Sequence, residues 1–509
     1  MEIINSILTW VMKKRIHEVE LFKKYPHEVQ REVLMKLVNT AKNTEFGKKY
    51  GFKNIKSIED FRRKVPFGDY DHLFPYIERL MKGEQNILWP TEIKWFAKSS
   101  GTTGKRSKFI PVSHEALEDC HFKGGKDLLS IYVNNYPDSK LFTGKALAIG
   151  GSHKINTLDE KSNSRYGDVS AVIMKNLPLW AEMARTPKLE TALMENWEEK
   201  IEKMAQETAT ENVTNISGIP TYTIVLIEKI LENTGASNIL EVWPNLELFV
   251  HGAVSFTPYR ELFKKLIPSD NMHYLETYNA TEGFFGIQDQ SDSDELLLML
   301  DYGIYYEFIP MESFHDEKAQ PIGLEDVVLD KSYAMVITTN AGLWRYVIGD
   351  TVKFSSLNPY RVKISGRTKH FINAFGEELN IQNAEKAIAA ASEATGAAIS
   401  NFTAGPLYYS ESNRGCHEWI IEFAQEPDDF QKFAKLLDES LRQDNSDYDA
   451  KRLNDMALKP PVIHKAPKDT FYKWMKQRGK LGGQNKVPRL SNNREFLDDL
   501  LPLLKENQI

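Results

Sequence analysis

The spacing of apolar residues predicts helices in the first part of the chain. Apolar side chains on one helical face follow Pro26, which suits the first turn of a helix. They are Val29, Val33, Leu37, Val38 and Ala41. An earlier set at helical spacing comprises Ile4, Ile7, Leu8 and Val11. We interpret that set as an amphipathic helix that packs on the body of the protein rather than as an anchor at a membrane surface.

From residue 91 the pattern changes to the period of two that is typical of strands. The alternation from Ile93 to Ala97 is followed by a loop and then by KFIPV (108–112). Ser113 can cap a helix that runs towards Tyr132. The predicted order is therefore strand, loop, strand and helix.

The remainder of the first 366 residues continues this mixture. One amphipathic helix is predicted by Leu189, Leu193, Trp197, Ile201 and Met204. Strands are predicted by LELFV (246–250), HYLETY (273–278), IYYEFI (304–309) and YAMVITT (333–339). Several of these are too apolar to have one face in water. The sequence therefore predicts an α/β body in which helices cover β-sheets.

After Arg367 the pattern indicates a smaller α+β unit. An alanine-rich helix around 384–395 is ended by Gly396, and the alternating strand HEWIIEF (417–423) follows. Two more helices are predicted, at 428–443 and near 468–478. Since no long linker separates the two parts, we expect a short hinge between a domain of residues 1–366 and a domain of residues 367–509.

Composition and charge exclude several classes of protein. The 509 residues are 41% hydrophobic and 27% charged, which is typical of globular domains and excludes a disordered or fibrous chain. Lys and Arg number 64 against 71 Asp and Glu, for a net charge of −7. This balance argues against nucleic acid as the main partner, although a local basic cluster can still bind a small anion.

The cysteines and the longest apolar runs bear on the compartment. Cys120 and Cys416 are far apart in sequence, which fits neither a disulfide framework nor a paired-cysteine zinc site. The densest apolar run, LLLML (296–300), is much shorter than a spanning helix needs. We expect a soluble, cytoplasmic protein with no membrane partner.

The segment SSGTTGKRSKF (99–109) carries the clearest candidate chemistry. Its glycines permit close backbone approach, its hydroxyls and N–H groups donate to phosphate oxygens, and Lys105 and Arg106 neutralise charge. It is not a Walker A loop, because Gly101 and Gly104 are too close together and a strand follows. Phosphate binding is favoured over a plain solvated turn.

The segment YNATEGFFG (278–286) lies at the end of a predicted strand, where α/β folds often place ligand groups. Glu282 can bind magnesium, Thr281 can donate to a phosphate, and Tyr278 offers a flat face to a purine. Taken alone, an aromatic strand end is more often part of the core.

Two later segments complete the candidates. In LWRYVIGD (343–350), Asp350 can accept hydrogen bonds from a sugar diol, or it can simply fix its own turn. In GKLGGQNKVPRL (479–490), Lys486 is either a solvated cation or a group that reaches a phosphate. The signatures HExxH, GxSxG and GxGxxG are absent, which removes the usual sequence support for zinc proteases, α/β-hydrolases and Rossmann dehydrogenases.

The order of these segments resembles that of the adenylate-forming superfamily. The order is SSGTTGKRSK, HGAVS, YNATEGFFG, LWRYVIGD, SGRTKHFINAFGEELN and GGQNKVPRL. Within that superfamily, the forms YxxxE, RYxxGD and QxKxPR are similar to those of the auxin-responsive Gretchen Hagen family of acyl acid amido synthetases. The resemblance covers about residues 95–490.

The resemblance implies a role for individual residues. ATP phosphates would be held by Ser99, Ser100, Gly101, Thr102, Thr103, Gly104 and Lys105. Gly252 and Ala253 would line the adenine edge and Tyr278 its face. Thr281 would contact the α-phosphate, Glu282 would bind magnesium, and Asp350 would bind the ribose hydroxyls. Arg367 and Lys369 would lie at the hinge, and Lys486 would enter the site from a mobile C-terminal lid.

The resemblance also implies a reaction. A small carboxylic acid would be converted with ATP to an acyl adenylate and pyrophosphate, and an amino acid amine would then take the acyl group. An acyl-CoA ligase with a thiol acceptor and a non-catalytic nucleotide-binding protein remain alternatives. The residues expected around the acyl pocket give no match, so the acid, the amino acid and the oligomeric state stay open.

Overall fold

The computed structural model of the chain divides into two compact units. Unit 1 comprises Met1–Ala253 and Asp270–Ile364, and unit 2 comprises Val254–Ser269 and Ser365–Ile509. The structure describes residues 5–6, 10, 12–99, 108–150, 156–159, 163–194, 196–252, 256, 259–291, 293–314, 316, 318–368, 371–372, 379–407, 415–445, 448–449, 452, 458–481, 486–491 and 493–506. The expected boundary after residue 366 stays a prediction, and residues 254–269, which it assigns to the first domain, group with unit 2.

The strands are numbered in chain order. They are β1 (Trp95–Ser99), β2 (Lys108–Val112), β3 (Lys145–Ala148), β4 (Asn156–Asp159), β5 (Ser164–Gly167), β6 (Arg185–Thr186), β7 (Val213–Ser217), β8 (Leu248–Gly252), β9 (His273–Ala280), β10 (Gly283–Ile287), β11 (Leu296–Leu298), β12 (Ile304–Pro310), β13 (Ser332–Thr339), β14 (Tyr346–Leu357), β15 (Tyr360–Arg367), β16 (Phe371–Ile372), β17 (Leu379–Asn380), β18 (Ala398–Leu407), β19 (Cys416–Gln425) and β20 (Val462–Ala466).

The α-helices are likewise numbered in chain order. They are α1 (Ile16–Lys24), α2 (Pro26–Ala41), α3 (Glu45–Lys49), α4 (Ile58–Lys64), α5 (Tyr70–Met81), α6 (His114–Ala116), α7 (Lys123–Asn135), α8 (Val169–Lys175), α9 (Leu179–Ala184), α10 (Leu189–Ala192), α11 (Trp197–Thr208), α12 (Pro220–Thr234), α13 (Arg260–Leu266), α14 (Ile381–Thr395), α15 (Phe430–Asp444), α16 (Thr470–Gln477) and α17 (Glu495–Glu506). Short 3₁₀ segments occur at Phe52–Asn54, Leu141–Thr143, Ile239–Glu241, Met311–Ser313 and Leu324–Asp326, and a π-helix spans Leu117–Phe122.

Within the described residues, eleven strands form one mixed sheet, in the order β12-β13-β14-β15-β11-β10-β9-β8-β7-β3-β6. Strands β6, β3, β7, β8 and β9 run parallel, so their carboxyl ends meet at one edge of the sheet. The β9–β10 and β12–β13–β14 pairs are antiparallel. A second sheet has the order β2-β1-β5-β4. The predicted mixture of sheets and covering helices is confirmed.

The apolar patterns locate most elements correctly. Helix α2 begins at Pro26, and β12 and β13 are buried along nearly their whole length, as their composition requires. The single helix expected between Leu189 and Met204 is wrong, since α10 ends at Ala192 and α11 starts at residue 197. The break has a local cause: the side chain of Asn196 accepts hydrogen bonds from two backbone N–H groups and caps α11.

Unit 2 is built on the three-stranded sheet β18-β19-β20. Alternate side chains of β19 enter different apolar clusters: Trp419 and Ile421 pack with residues of α14 and α15, whereas Ile420 packs with residues of α16 and α17. The period of two in HEWIIEF thus gives a strand with both faces covered. Within the described ranges, none of the helices combines the length and the apolar character that a membrane crossing requires.

A buried ion pair fixes the start of β14. Arg345 has a positive φ of 44°, and its guanidinium forms two hydrogen bonds with Glu307 of β12, at 2.8 and 2.9 Å. It also donates to the carbonyls of Arg62 and Val65, at 2.9 and 2.7 Å. Both partners are almost completely buried, and Glu307 also accepts from Arg62 at 3.2 Å, so the Arg345 guanidinium depends on this carboxylate for compensation.

We predict that Glu307→Ala lowers the free energy of unfolding by about 3–5 kcal/mol, because it leaves a buried guanidinium without its carboxylate. Chemical denaturation measures this loss. Lys331→Ala is the control, because its ion pair with Glu312 is exposed, and we expect less than about 1 kcal/mol there. Equal effects of the two substitutions would contradict the structural role of the buried pair.

Candidate active site

A tight hairpin presents two of the candidate residues. Strands β9 and β10 pair antiparallel with Ala280 opposite Gly283, so Thr281 and Glu282 form a two-residue turn. Thr281 is buried and Glu282 is half-buried. Because β9 is also the last parallel strand of the large sheet, the turn lies where strand ends supply ligand groups in α/β folds.

A bulge in β14 positions Asp350. In the register of β13 with β14, Ala334 pairs with Thr351 and Val336 with Val347, so β14 contains additional residues between these pairs. One of them, Gly349, has φ of +94°, a conformation that a residue with a side chain rarely adopts. The Gly349-Asp350 sequence therefore marks the bulge, and the bulge sets the position of Asp350.

Two sets of hydrogen bonds join these strands, and together we call them the polar network. The Tyr278 hydroxyl donates to Asp350 Oδ2 at 2.7 Å, and the Tyr346 hydroxyl donates to Glu282 Oε1 at 3.3 Å. Lys108 Nζ donates to the Tyr346 hydroxyl at 3.0 Å. Burial and the neighbouring Glu282 carboxylate raise the pKa of Tyr346 well above its usual value, so the phenol stays protonated.

Gly252 packs closely against the strand that carries Tyr278. In the parallel pair β8–β9 it lies opposite Thr277, the residue before Tyr278. A Cβ atom at position 252 would lie 2.5 Å from the carbonyl oxygen of Thr277, so only glycine fits without moving a strand. This close approach brings the end of β8 next to the strand that carries Tyr278.

Several predicted site residues cannot be placed. Ser100, Gly101, Thr102, Thr103, Gly104, Lys105, Ala253 and Lys369 lie outside the described residues. Ser99 ends β1 and pairs with Lys108, the first residue of β2, which confirms the predicted strand on each side of that loop. Arg367 is the last residue of β15, and Lys486 is exposed in unit 2. The site assignments as a whole stay predictions.

Lys108 and Tyr346 are the site residues that the sequence analysis missed. Both lie inside segments that it singled out, SSGTTGKRSKF and LWRYVIGD, so their signal was present. The Lys108 ammonium lies 5.6 Å from the ring centre of Tyr346 and 5.8 Å from that of Tyr70, close enough for cation–π attraction. Lys108 thus brings a positive charge to the network beside Glu282.

A π-helical turn contacts the β9–β10 hairpin from the other side. In the Leu117–Phe122 segment, Cys120 Sγ accepts a hydrogen bond from the backbone N–H of Phe284 at 3.2 Å. His121 forms a hydrogen bond with the side chain of Asn279, and burial lowers the pKa of this histidine to about 4. A π-helix often marks a functional position, and nothing in the apolar spacing indicated one here.

Another buried cation lies near the edge of the sheet. Lys200 of α11 is fully buried, and its Nζ donates to the carbonyl of Gly150, just beyond β3, at 3.1 Å. Burial lowers the pKa of Lys200 to about 8, and the nearby Asp168 carboxylate partly opposes this. Among the described side chains, no three potential ligands of the types His, Cys, Asp and Glu converge as a metal site.

Comparison with known proteins gives the family of this chain. The profile of the GH3 family N-terminal domain matches residues 15–272, that of the central domain matches 297–367, and that of the C-terminal domain matches 382–495. The chain belongs to the GH3 family. The resemblance inferred from the order of the six segments is therefore confirmed.

Relatives within the GH3 family are distant in sequence but similar over their whole length. Indole-3-acetic acid-amido synthetase GH3.3 of Arabidopsis thaliana is 22% identical over 91% of this chain and 89% of its own. The 4-substituted benzoates-glutamate ligase GH3.12 of the same plant is 22% identical over 93% and 94%. The solved structure of the GH3.15 acyl acid amido synthetase superimposes with a TM-score of 0.79 at 18% identity and covers 96% of each chain, which confirms the adenylate-forming fold.

We predict that His121 makes unfolding strongly pH-dependent below pH 6.5. Between the unfolded pKa of 6.5 and the folded value of about 4, the unfolded chain binds the additional proton, so stability falls as the pH is lowered, by on the order of 3 kcal/mol in total. Denaturation of His121→Gln from pH 4 to pH 7 should show a correspondingly smaller slope. The exposed His114→Gln is the control, and an unchanged slope in His121→Gln would contradict the assignment.

Proposed function

We propose that this GH3 family chain is an ATP-dependent acyl acid amido synthetase. The single observation that carries the proposal is the polar network, in which the Lys108 ammonium is linked to Glu282 through the Tyr346 hydroxyl and Asp350 accepts from the Tyr278 hydroxyl. These are the groups that a nucleotide needs: an acceptor for ribose hydroxyls, a cation for phosphate and an oxygen ligand for a divalent ion. The relatives' names supply the reaction class.

ATP would occupy the end of the parallel strands. By the family pattern, Gly252 and Ala253 would line the adenine edge, Tyr278 would contact the ring, and Asp350 would accept from the ribose hydroxyls. Thr281 would donate to the α-phosphate. The β and γ phosphates would meet the segment Ser99–Lys105. The family pattern would place Arg367 and Lys369 at the hinge.

Glu282 is suited to hold magnesium. The ion usually binds one or two carboxylates together with phosphate oxygens, so a single half-buried carboxylate beside a phosphate site fits it. When bound, magnesium neutralises phosphate charge and polarises the α-phosphorus towards attack. The Tyr346 hydroxyl keeps Glu282 oriented, because its proton is retained at neutral pH.

The first step activates the acid. A carboxylate oxygen of the acid attacks the α-phosphorus, a bond to the adenylyl group forms, and the bond to pyrophosphate breaks. Lys105, Lys108 and Lys486 would stabilise the charge that moves onto the leaving phosphates, and such electrostatic contacts supply most of the acceleration in phosphoryl chemistry.

The second step forms the amide. A neutral amino acid amine attacks the acyl carbonyl, the acyl–oxygen bond breaks, and AMP leaves with the electron pair. We assign the smaller C-terminal domain the role of a lid that delivers Lys486 in the first step. The acid and the acceptor amino acid are left open.

The decisive experiment follows ATP–pyrophosphate exchange with a panel of aryl, indolyl and aliphatic carboxylic acids. The proposal expects acid-dependent exchange and, on addition of amino acids, an amide product seen by mass spectrometry. A thioester formed with coenzyme A and no amide would instead support an acyl-CoA ligase. ATP binding without any acid-dependent exchange would support a nucleotide-binding protein.

We predict that Glu282→Gln lowers the rate of acid-dependent pyrophosphate exchange by about 100-fold or more, because it removes the carboxylate that holds magnesium beside the phosphates. Titration with magnesium should show a raised requirement for the ion. Glu325→Gln, a half-exposed carboxylate paired with Arg62, should leave exchange unchanged. Full activity of Glu282→Gln would remove this residue from the site.

We predict that Tyr346→Phe lowers the rate of exchange by about 5- to 10-fold, because the hydrogen bond that the phenol donates to the Glu282 carboxylate and the one it accepts from Lys108 are lost. The control is Tyr306→Phe, another fully buried tyrosine, whose hydroxyl donates to the carbonyl of Met299. Tyr306→Phe should lower stability without this kinetic effect. Steady-state kinetics and thermal unfolding together distinguish the two outcomes.

A further inference from the structure

The segment after Lys486 is bonded along β18 in unit 2. The Thr403 hydroxyl donates to the carbonyl of Pro488 at 2.6 Å. The N–H of Ala404 donates to the carbonyl of Arg489, and the N–H of Ser491 donates to the carbonyl of Ala404, both at 2.9 Å. Leu490 forms a parallel bridge with Ala404. Residues 488–491 therefore have a fixed position on the sheet of unit 2.

The side chain of Arg489 reinforces this attachment in an unusual way. It is 8% exposed, and its Nη1 donates to Asn401 Oδ1 at 3.1 Å and to the carbonyl of Phe402 at 3.2 Å. Its Nη2 donates to the Tyr259 hydroxyl, and the guanidinium lies 4.5 Å from the ring centre of Phe402. Among the described residues, no carboxylate forms a salt bridge with it, and its Nε is buried without a partner. A buried cation held only by neutral groups is costly, which indicates a role other than stability.

Tyr259 links this attachment to the proposed nucleotide site through the chain itself. It lies in the segment Val254–Ser269 of unit 2. That segment begins just after Gly252 at the end of β8 and leads back into β9, which ends at the Thr281–Glu282 turn. The Arg489–Tyr259 hydrogen bond therefore joins the lysine-bearing segment to the connection between two strands of the site.

We propose that Arg489 is a positioning residue that acts through Lys486, with Tyr259 as its anchor. Lys486 is two residues before Pro488, so its backbone stays within about 7 Å of a fixed point. When its lysine binds a phosphate, an attached segment loses less conformational entropy than a free loop. This inference rests on the proposed function for the role of Lys486, but the attachment itself can be tested without it.

The kinetic test is a double-mutant cycle on acid-dependent pyrophosphate exchange. We expect Arg489→Met to lower the rate about 10-fold and Tyr259→Phe about 3-fold. The combination of Arg489→Met with Lys486→Ala should be no slower than Lys486→Ala alone, because Arg489 acts only through that lysine. Multiplicative losses in the double variant would overturn the proposal.

Arg494→Met is the matched control. Arg494 is another arginine of unit 2, which bonds Glu418 at 2.7 Å and the carbonyl of Pro406 at 3.0 Å. Its loss should lower stability, and any kinetic effect should multiply with that of Lys486→Ala. If Arg489→Met does not fold, Arg489→Lys and Tyr259→Phe can each be combined with Lys486→Ala in the same double-mutant cycle. Both substitutions keep the volume of the side chain nearly unchanged.

A second measurement separates failure of this inference from failure of the proposed function. A spin label on Lys486→Cys is selective, because Cys120 and Cys416 are both buried. We expect the label to become at least about twofold more mobile when Arg489→Met is added, and not when Arg494→Met is added. Unchanged mobility overturns the positioning role whatever the enzyme does. Increased mobility in a protein without pyrophosphate exchange supports the attachment and refutes only the proposed function.

Discussion

The buried pair between Arg345 and Glu307 is the interaction on which one side of the candidate site depends. It holds Arg345 in a left-handed backbone conformation and ties β12, the start of β14 and two carbonyls at the end of α4 to one guanidinium. Gly68 and Val347 add backbone hydrogen bonds on either side of this point. Tyr346 directly follows Arg345, and Asp350 lies four residues after Tyr346. The buried ion pair, rather than a ligand, therefore sets the position of both groups.

Tyrosine hydroxyls act as spacers between the charged groups of the network. Tyr346 lies between Lys108 and Glu282, and Tyr278 supports Asp350. The Tyr346 phenol, whose pKa is raised, donates to the Glu282 carboxylate without neutralising it. The network is therefore ordered without a ligand, which would lower the entropic cost of the binding proposed for it.

Sequence patterns predicted what local chemistry determines and missed what long-range packing determines. The strands at 273–278 and 333–339 follow from alternation and apolar content, and the motif around Asp350 contains its own bulge glycine. The π-helix that contains His121 has the same residue types as an ordinary α-helix. Contacts with the hairpin, such as the Phe284–Cys120 hydrogen bond, therefore determine its wider turn. The grouping of residues 254–269 with unit 2 likewise depends on partners more than 100 residues away, which no local pattern records.

That grouping has a consequence for dissecting the protein. The chain passes between the two units at three points, after residues 253, 269 and 364, instead of once. Cutting the gene at a single place near the hinge would give one fragment that exposes Phe256, Tyr259 and Phe263, and another whose Arg489 has lost an oxygen acceptor. Separately expressed halves would each present an uncovered surface, whereas a division that keeps residues 254–269 with residues 365–509 would preserve the Tyr259–Arg489 hydrogen bond.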